Sequence, residues 1–449
     1  MRTLTLASLA LATTGVPISA QEALSDLDAA LVSYFQADSS EARDEIAGRI
    51  AAMPGVTPEA VGQRLHKLPL WLSVRPGTTS YSMEIGEDEQ RTVWVRVPSG
   101  YEPGRPWPVM IALHGQGGRA EEMLSFAVGL LADKADEMIV AAPQAVLSGP
   151  FDPQNESELN QPVHLLQLLR RRYHVDSNRV FLIGYSKGGH RTAATGVMFA
   201  DQFAGIVCMA GIMAPLPQRE GLYSYFLPNL QHLPVLMVWG EQDDKGPSGK
   251  PASNGGIAAV NRRLAKVLEE RDLPITMVEL PGVGHLGVRP PSDAWAALLA
   301  KTRACYPTET AHCFRLPEQG RAYWLRLVEF VGEPWMDPQL RIELRPGEDP
   351  QEALLRAIRL KLGRLEGRID GQLVAVHSKR AKELDVLLQE RLVDFDRPIT
   401  IKMNGRRAYE GMVEPRVETL LEVAAEDWDF DRLFPVCVRI AIGRRGHQM

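Results

Sequence analysis

Three residue types in one order raise the possibility of acyl-transfer chemistry: a serine boxed by glycines, then an acid, then a histidine in a glycine-bounded loop. The serine lies in the stretch Val180 to His190, where an apolar run ends in Gly184, Tyr185, Ser186, Lys187, Gly188. Glycines two residues to either side of Ser186 let a strand turn sharply into a helix, because a Cβ there would strike neighbouring backbone. Such a turn lifts the serine oxygen clear of the carboxyl edge of a sheet. A serine that only caps a helix uses the same five residues, so the rest of the chain has to decide.

A serine hydroxyl is a weak nucleophile near neutral pH unless a histidine takes its proton and an acid orients that histidine. The apolar run Val235 to Trp239 ends in Gly240, Glu241, Gln242, Asp243 and Asp244. Asp243 is the candidate acid, with Glu241 and Asp244 as competitors and a solvated acidic loop as the plain alternative. The next run, Ile275 to Leu280, leads into Gly282, Val283, Gly284, His285, Leu286 and Gly287. His285 therefore has the order and the setting of the base. His190 is nearer Ser186 in sequence, but a helix would carry it away from the serine oxygen. Backbone amides can stabilise an oxyanion without side-chain motion. The amide after the nucleophile, Lys187, is one candidate, and Gln116 in the glycine-rich loop after Val109 to Leu113 is the other.

These residues need a scaffold that brings strand ends together. Apolar runs at Pro108 to Leu113, Met138 to Ala142, Val180 to Ile183, Ile206 to Ala210, Val235 to Trp239 and Ile275 to Leu280 alternate with helical stretches. That alternation predicts an α/β unit, a mostly parallel sheet with helices on both faces. A hairpin, Tyr81 to Ile85 and Thr92 to Val97 around a polar turn, opens it. Upstream, Leu24, Leu27, Leu31 and Phe35 recur at helical spacing, and Thr57-Pro58-Glu59 opens a further helix. Downstream, short strands dominate. Asn404-Gly405 between two β runs predicts a two-residue hairpin, and a helix opens at Asp349-Pro350. The expected organisation is a leader over 1–20, a helical segment over 21–78, a catalytic unit over 79–303 and a β-rich domain over 304–449.

The first twenty residues run from Arg2 through an apolar stretch, Leu4 to Ile18, to Ser19-Ala20 before polar Gln21. That order predicts a secretory signal peptide cleaved after Ala20, and a secreted or periplasmic protein. Export would make disulfides possible, and Cys305 and Cys313 enclose a loop short enough to bridge; Cys208 and Cys437 read as buried thiols. No cysteine spacing fits a zinc site. A formal net charge of −6 leaves no nucleic-acid footprint, and no later run suits a membrane helix.

On Leu113-His114-Gly115-Gln116-Gly117, Gly184-Tyr185-Ser186-Lys187-Gly188-Gly189, Trp239-Gly240-Glu241-Gln242-Asp243 and Gly282-Val283-Gly284-His285, the chain resembles the α/β-hydrolase superfamily over roughly residues 79 to 303. The lead-in from Tyr101 to Pro106 and the approach from Asp176 to Val180 are similar to secreted bacterial esterases of the polyhydroxybutyrate-depolymerase and feruloyl-esterase type. The resemblance implies a serine hydrolase that cleaves small-molecule or polymer-borne carboxylic esters through Ser186, His285 and Asp243, without metal or cofactor. The Gly184 to Gly189 run also resembles the prolyl-oligopeptidase group, although the upstream region is far too short for that group's propeller. A peptidase, and an inactive binding protein on the same fold, are the alternatives.

Overall fold

Strands covered on both faces are apolar without alternation, and the computed structural model assembles such runs into one eight-stranded sheet. The structure describes residues 25–84, 90–145, 156–213, 223–244, 256–334, 342–442 and 447–448. The expected signal peptide, the polar tip of the first hairpin and Leu24 lie outside the described residues.

The sheet comprises β1 Gly77–Glu84, β2 Gln90–Val97, β3 Trp107–Leu113, β4 Ile139–Pro143, β5 Val175–Tyr185, β6 Gly205–Met209, β7 Val235–Gly240 and β8 Ile275–Leu280. Their spatial order is β1-β2-β4-β3-β5-β6-β7-β8. The opening hairpin is antiparallel, and every pairing from β4 to β8 is parallel. Val109, Ile111 and Leu113 of β3 face one core and Met110 and Ala112 face the other. On the first face lie α5 (Glu156–Arg172) and α6 (Lys187–Met198), through Leu165, Leu169, Ala193 and Val197. On the second lies α4 (Ala120–Leu131), through Met123, Leu124 and Ala127. β5 begins earlier than its apolar run, because the polar stretch from Val175 also pairs with the start of β3, past an irregularity between Trp107 and Val109.

Beyond residue 303 the described residues form two five-stranded sheets over a shared core that includes Phe314, Trp324, Leu384, Val386 and Ile401. The hairpin Ile399–Met403 to Arg406–Gly411 turns at Asn404 and Gly405, both at positive φ (49° and 79°), as a tight two-residue turn requires. The helix Pro350–Lys361 starts where Asp349 caps it through the Glu352 amide (3.1 Å). Its Ile358 joins the core of the first sheet rather than that of the neighbouring strands.

The N-terminal helices α1 (Asp26–Gln36), α2 (Ser40–Ala51) and α3 (Pro58–Leu65) share a core with the late helix Val417–Asp427. Leu31, Phe35, Ile50, Val61 and Leu65 pack there with Leu421, Ala424 and Phe430. Next to this core, charged groups are buried where the first sheet unit meets the C-terminal strands. Arg303 bonds Asp429 and Arg432 bonds Asp201, while Arg170 stands 3.5 Å from Asp429. Burial pushes the Asp429 carboxyl up, but Arg303 and Arg170 override it and hold it far below the usual carboxylate range.

The expected Cys305–Cys313 bridge is not formed, and all four cysteines are free. Cys313 lies near the end of the strand Glu309–Phe314 with its thiol turned into the first sheet's core. Cys305 instead donates to Asn178 Oδ1 at 3.0 Å. The pleat of the strand turns Cys313 inward, whereas Cys305 sits half-buried in the segment before it and turns towards Asn178, so the two thiols have different surroundings.

Candidate active site

The turn after β5 puts Ser186 at φ 54° and ψ −119°, a conformation that costs about 1–3 kcal/mol for a residue with a side chain. Glycines make it possible. A Cβ at Gly184 would stand 2.1 Å from the Gly188 carbonyl oxygen, and one at Gly188 would stand 2.0 Å from that of Leu113. The Ser186 amide donates to Met209 O (2.8 Å), and its carbonyl accepts from His190 N (3.0 Å), which starts α6. The serine is thereby fixed between two strands and a helix.

Ser186 Oγ lies 3.0 Å from His285 Nε2, and His285 Nδ1 lies 2.9 Å from Asp243 Oδ1. A carboxylate can only accept, so Nδ1 carries the proton and neutral Nε2 is left to accept from the serine hydroxyl. Asp243 is 1% exposed, and its Oδ2 has no hydrogen-bond partner among the described residues. The histidine loop crosses the end of β7 at Gly240, where a Cβ would stand 2.2 Å from Val283 O. Of the other two acids, Glu241 accepts from the Gly282 amide (2.8 Å) and so helps hold the loop. Asp244 is partly buried in the turn after β7, and its carbonyl faces Gly256.

The glycine-rich loop passes the serine at Gly115, whose added Cβ would stand 3.2 Å from Ser186 Cβ. Gln116 follows, exposed, in a turn closed by Gly118 N to Gly115 O (3.1 Å). Lys187 is the first residue of α6, so its amide belongs to the helix N-terminus, where backbone donors favour negative charge. His190 accepts from the Ile212 amide through Nδ1 (3.2 Å), and burial lowers its pKa to about 4, so it is neutral with its proton on Nε2.

A buried polar chain behind the loop has no local sequence signal. His114 Nδ1 donates to Gly115 O (2.8 Å), and its Nε2 accepts from Ala145 N (3.0 Å). Gln161 donates to Gln144 O (3.0 Å) and accepts from Arg191 of α6 (2.6 Å). Gln144 in turn meets His114 Nε2 at 3.0 Å. These groups are far apart in the chain, and only folding shows that they link α6 to the Gly115 loop. By its aromatics the segment Leu216 to Leu230 reads either as a pocket wall or as ordinary packing, and its part before residue 223 lies outside the described residues. Within it, Phe226 is a core residue and Tyr225 packs against the same core.

The sheet order, the strained serine turn and the acid and histidine after the next strands define an α/β-hydrolase unit. Residues 84–274 match the Esterase family, described as "Putative esterase". A relative, "Putative esterase NocK" of Nocardia uniformis subsp. tsuyamanensis, is 28% identical over 148 residues, which make up 31% of this chain and 41% of the relative. The match therefore spans less than half of either protein. Similar solved structures include a thermostable esterase, 19% identical at TM-score 0.41 over 50% of this chain and 63% of that one. Another is LpqC, a poly(3-hydroxybutyrate) depolymerase from Bordetella parapertussis, 16% identical at TM-score 0.40 over 54% of this chain and 99% of that one.

Proposed function

We propose that the protein is a serine hydrolase that cleaves carboxylic esters through an acyl-enzyme. The observation that carries this reading is the hydrogen-bonded chain from Ser186 through His285 to Asp243, built on a strained turn. Ser186 Oγ attacks the acyl carbonyl as His285 Nε2 takes its proton. Asp243 holds the ring in the tautomer that leaves Nε2 free to accept, and stabilises the imidazolium that forms. The imidazolium then gives the proton to the leaving alkoxide. Water repeats the sequence on the acyl-enzyme, releasing the acid and regenerating Ser186. The amides of Lys187 and Gln116 are the proposed donors to the tetrahedral oxyanion. The esterase match over 84–274 favours esters over amides.

The proposal includes export, which rests on the charge, apolar run and small residues of the first twenty positions. Among the described residues, no helix is long and apolar enough to cross a membrane. The test compares turnover of short-chain aryl esters with that of matched peptide amides, in wild type and Ser186→Ala. Ester turnover that vanishes with Ser186 supports the reading. Amide turnover of equal efficiency favours a peptidase, and ester turnover that survives Ser186→Ala overturns the serine mechanism.

A further inference from the structure

We propose that Tyr185, the residue between Gly184 and the nucleophile, is a positioning residue that sets His285, an assignment that rests on the ester-hydrolase reading above. Its hydroxyl donates to the His285 backbone carbonyl, and the Val288 amide lies against the same hydroxyl. One phenol thus spans both ends of the short turn His285–Gly287.

That turn needs an anchor. Gly282, Gly284 and Gly287 fall within six residues, and Gly282 sits at φ 68°, so much conformational entropy is lost when the loop is ordered. Its internal backbone bonds, Val283 N to Leu280 O and Gly287 N to Gly284 O, are long at 3.3 Å. Glu241 and Gln242 hold its first half, through Gly282 N and Val283 O. Leu286, next to the base, is 88% exposed and adds little packing. Val283 and Val288 seat the two sides of the turn in the second core, and the Tyr185 hydroxyl is the hydrogen-bond partner of the His285 carbonyl between them.

The tyrosine is itself firmly seated. Its ring stands edge-on to Phe126 at 5.8 Å and to the His285 imidazole at 6.0 Å, and the Arg289 guanidinium lies 5.1 Å from the Phe126 ring. Burial raises the phenol pKa above its ordinary value, so the hydroxyl keeps its proton throughout the neutral range. Because Tyr185 and Ser186 are consecutive, the end of β5 that sets the nucleophile also sets the base. The Ser186–His285 distance is then governed by one rigid strand end rather than by a glycine-rich loop.

Tyr185→Phe keeps the ring and removes the hydroxyl. Misplacing a catalytic group by about 1 Å can cost roughly a hundredfold in rate. We expect kcat to fall about tenfold or more, KM to stay within about twofold, and labelling by a small fluorophosphonate to slow in the same proportion. The Nδ1 proton resonance of His285 should broaden, while the thermal midpoint stays close to that of wild type. Phe126→Leu, which loosens the ring but leaves the hydroxyl, should lower kcat by a smaller factor, and it serves as the test should Tyr185→Phe not fold. Unchanged kcat and labelling in Tyr185→Phe, or a loss confined to KM, would overturn the proposal. So would a larger kcat loss in Phe126→Leu than in Tyr185→Phe, or an unchanged kcat in Phe126→Leu. If wild type itself fails to label, the ester-hydrolase reading is what fails, which separates the two.

Discussion

Arg303 and Asp429 meet through two hydrogen bonds, 2.6 and 3.0 Å long, with both side chains almost wholly buried. Arg303 follows the helix Ser292–Leu299 that packs on the first sheet, and Asp429 follows the late helix that packs against the N-terminal helices, so the pair joins distant parts of the chain. Asp429 also faces Arg170 at 3.5 Å and Arg432 at 3.8 Å. Removing one partner of a buried pair leaves the other charge uncompensated, at a cost of about 3–5 kcal/mol. Asp429→Ala should therefore lose about that much stability in urea unfolding. A midpoint and slope equal to those of wild type would contradict the pairing.

The serine turn should not tolerate a methyl group. At Gly188, the added Cβ would stand 2.0 Å from Leu113 O, a backbone atom that cannot rotate away. Gly188→Ala should reduce ester turnover at least a hundredfold, on the order of the loss when a reacting group is misplaced by about 1 Å. A control at open Gly117 has positive φ, so Gly129→Ala on α4, where nothing lies within 4 Å, is the better comparison. It should be neutral or slightly stabilising, because alanine favours helix. Equal activity in the two variants would contradict the packing described.

Asp243→Asn should preserve the fold and lower kcat steeply. An amide can present its NH2 to His285 and favour the tautomer with Nε2 protonated, which cannot accept from Ser186. The loss expected for this change in a serine triad is roughly 10⁴-fold. Glu241→Gln should cost far less, since its partner is the Gly282 amide rather than the imidazole. A reversed ranking, read from steady-state ester hydrolysis, would move the role of the acid to Glu241.

His66 links all three parts of the chain, and its tautomer follows from its neighbours. His174 Nδ1 faces Pro103 O at 2.9 Å, so it carries a proton and leaves Nε2 as acceptor. His66 must then donate through Nδ1 to His174 (3.3 Å) and through Nε2 to Asp431 (3.3 Å), which requires the imidazolium. Burial pushes the His66 pKa down, but Asp431 overrides it and leaves a net increase above 6.5. Its stabilisation is complete below about pH 6.5 and is lost as pH rises through the higher folded value. His174 runs the other way: burial lowers it to about 4, so its contribution is lost as pH falls from 6.5 towards that value. Wild type should lose thermal stability as pH rises above 6.5, by a margin that His66→Asn abolishes. Parallel losses in both proteins would contradict the charged His66.

The central sheet is legible because its strands are short apolar runs spaced by helical stretches, a pattern set by local chemistry. Ser186, Asp243 and His285 are legible as candidates for a related reason: each follows a strand, with glycines on both sides of Ser186 and His285 and Gly240 before Asp243, residues whose local use is a tight turn or a close approach. Tyr185 gives no such signal, since its partner is a backbone carbonyl a hundred residues away. The Arg170, Asp201, Arg303, Asp429 and Arg432 group is equally hidden, because scattered charges ordinarily read as solvated surface. The Cys305–Cys313 expectation fails for the same physical reason. Loop length states whether two thiols can meet, whereas the side-chain direction in a strand decides whether they do.

The most direct test of the account is labelling with a fluorophosphonate followed by peptide mapping. The serine mechanism predicts stoichiometric modification of Ser186 alone, slowed in His285→Ala and absent in Ser186→Ala, with the fold retained in each. Modification at another residue, or none on folded wild-type protein, would contradict it.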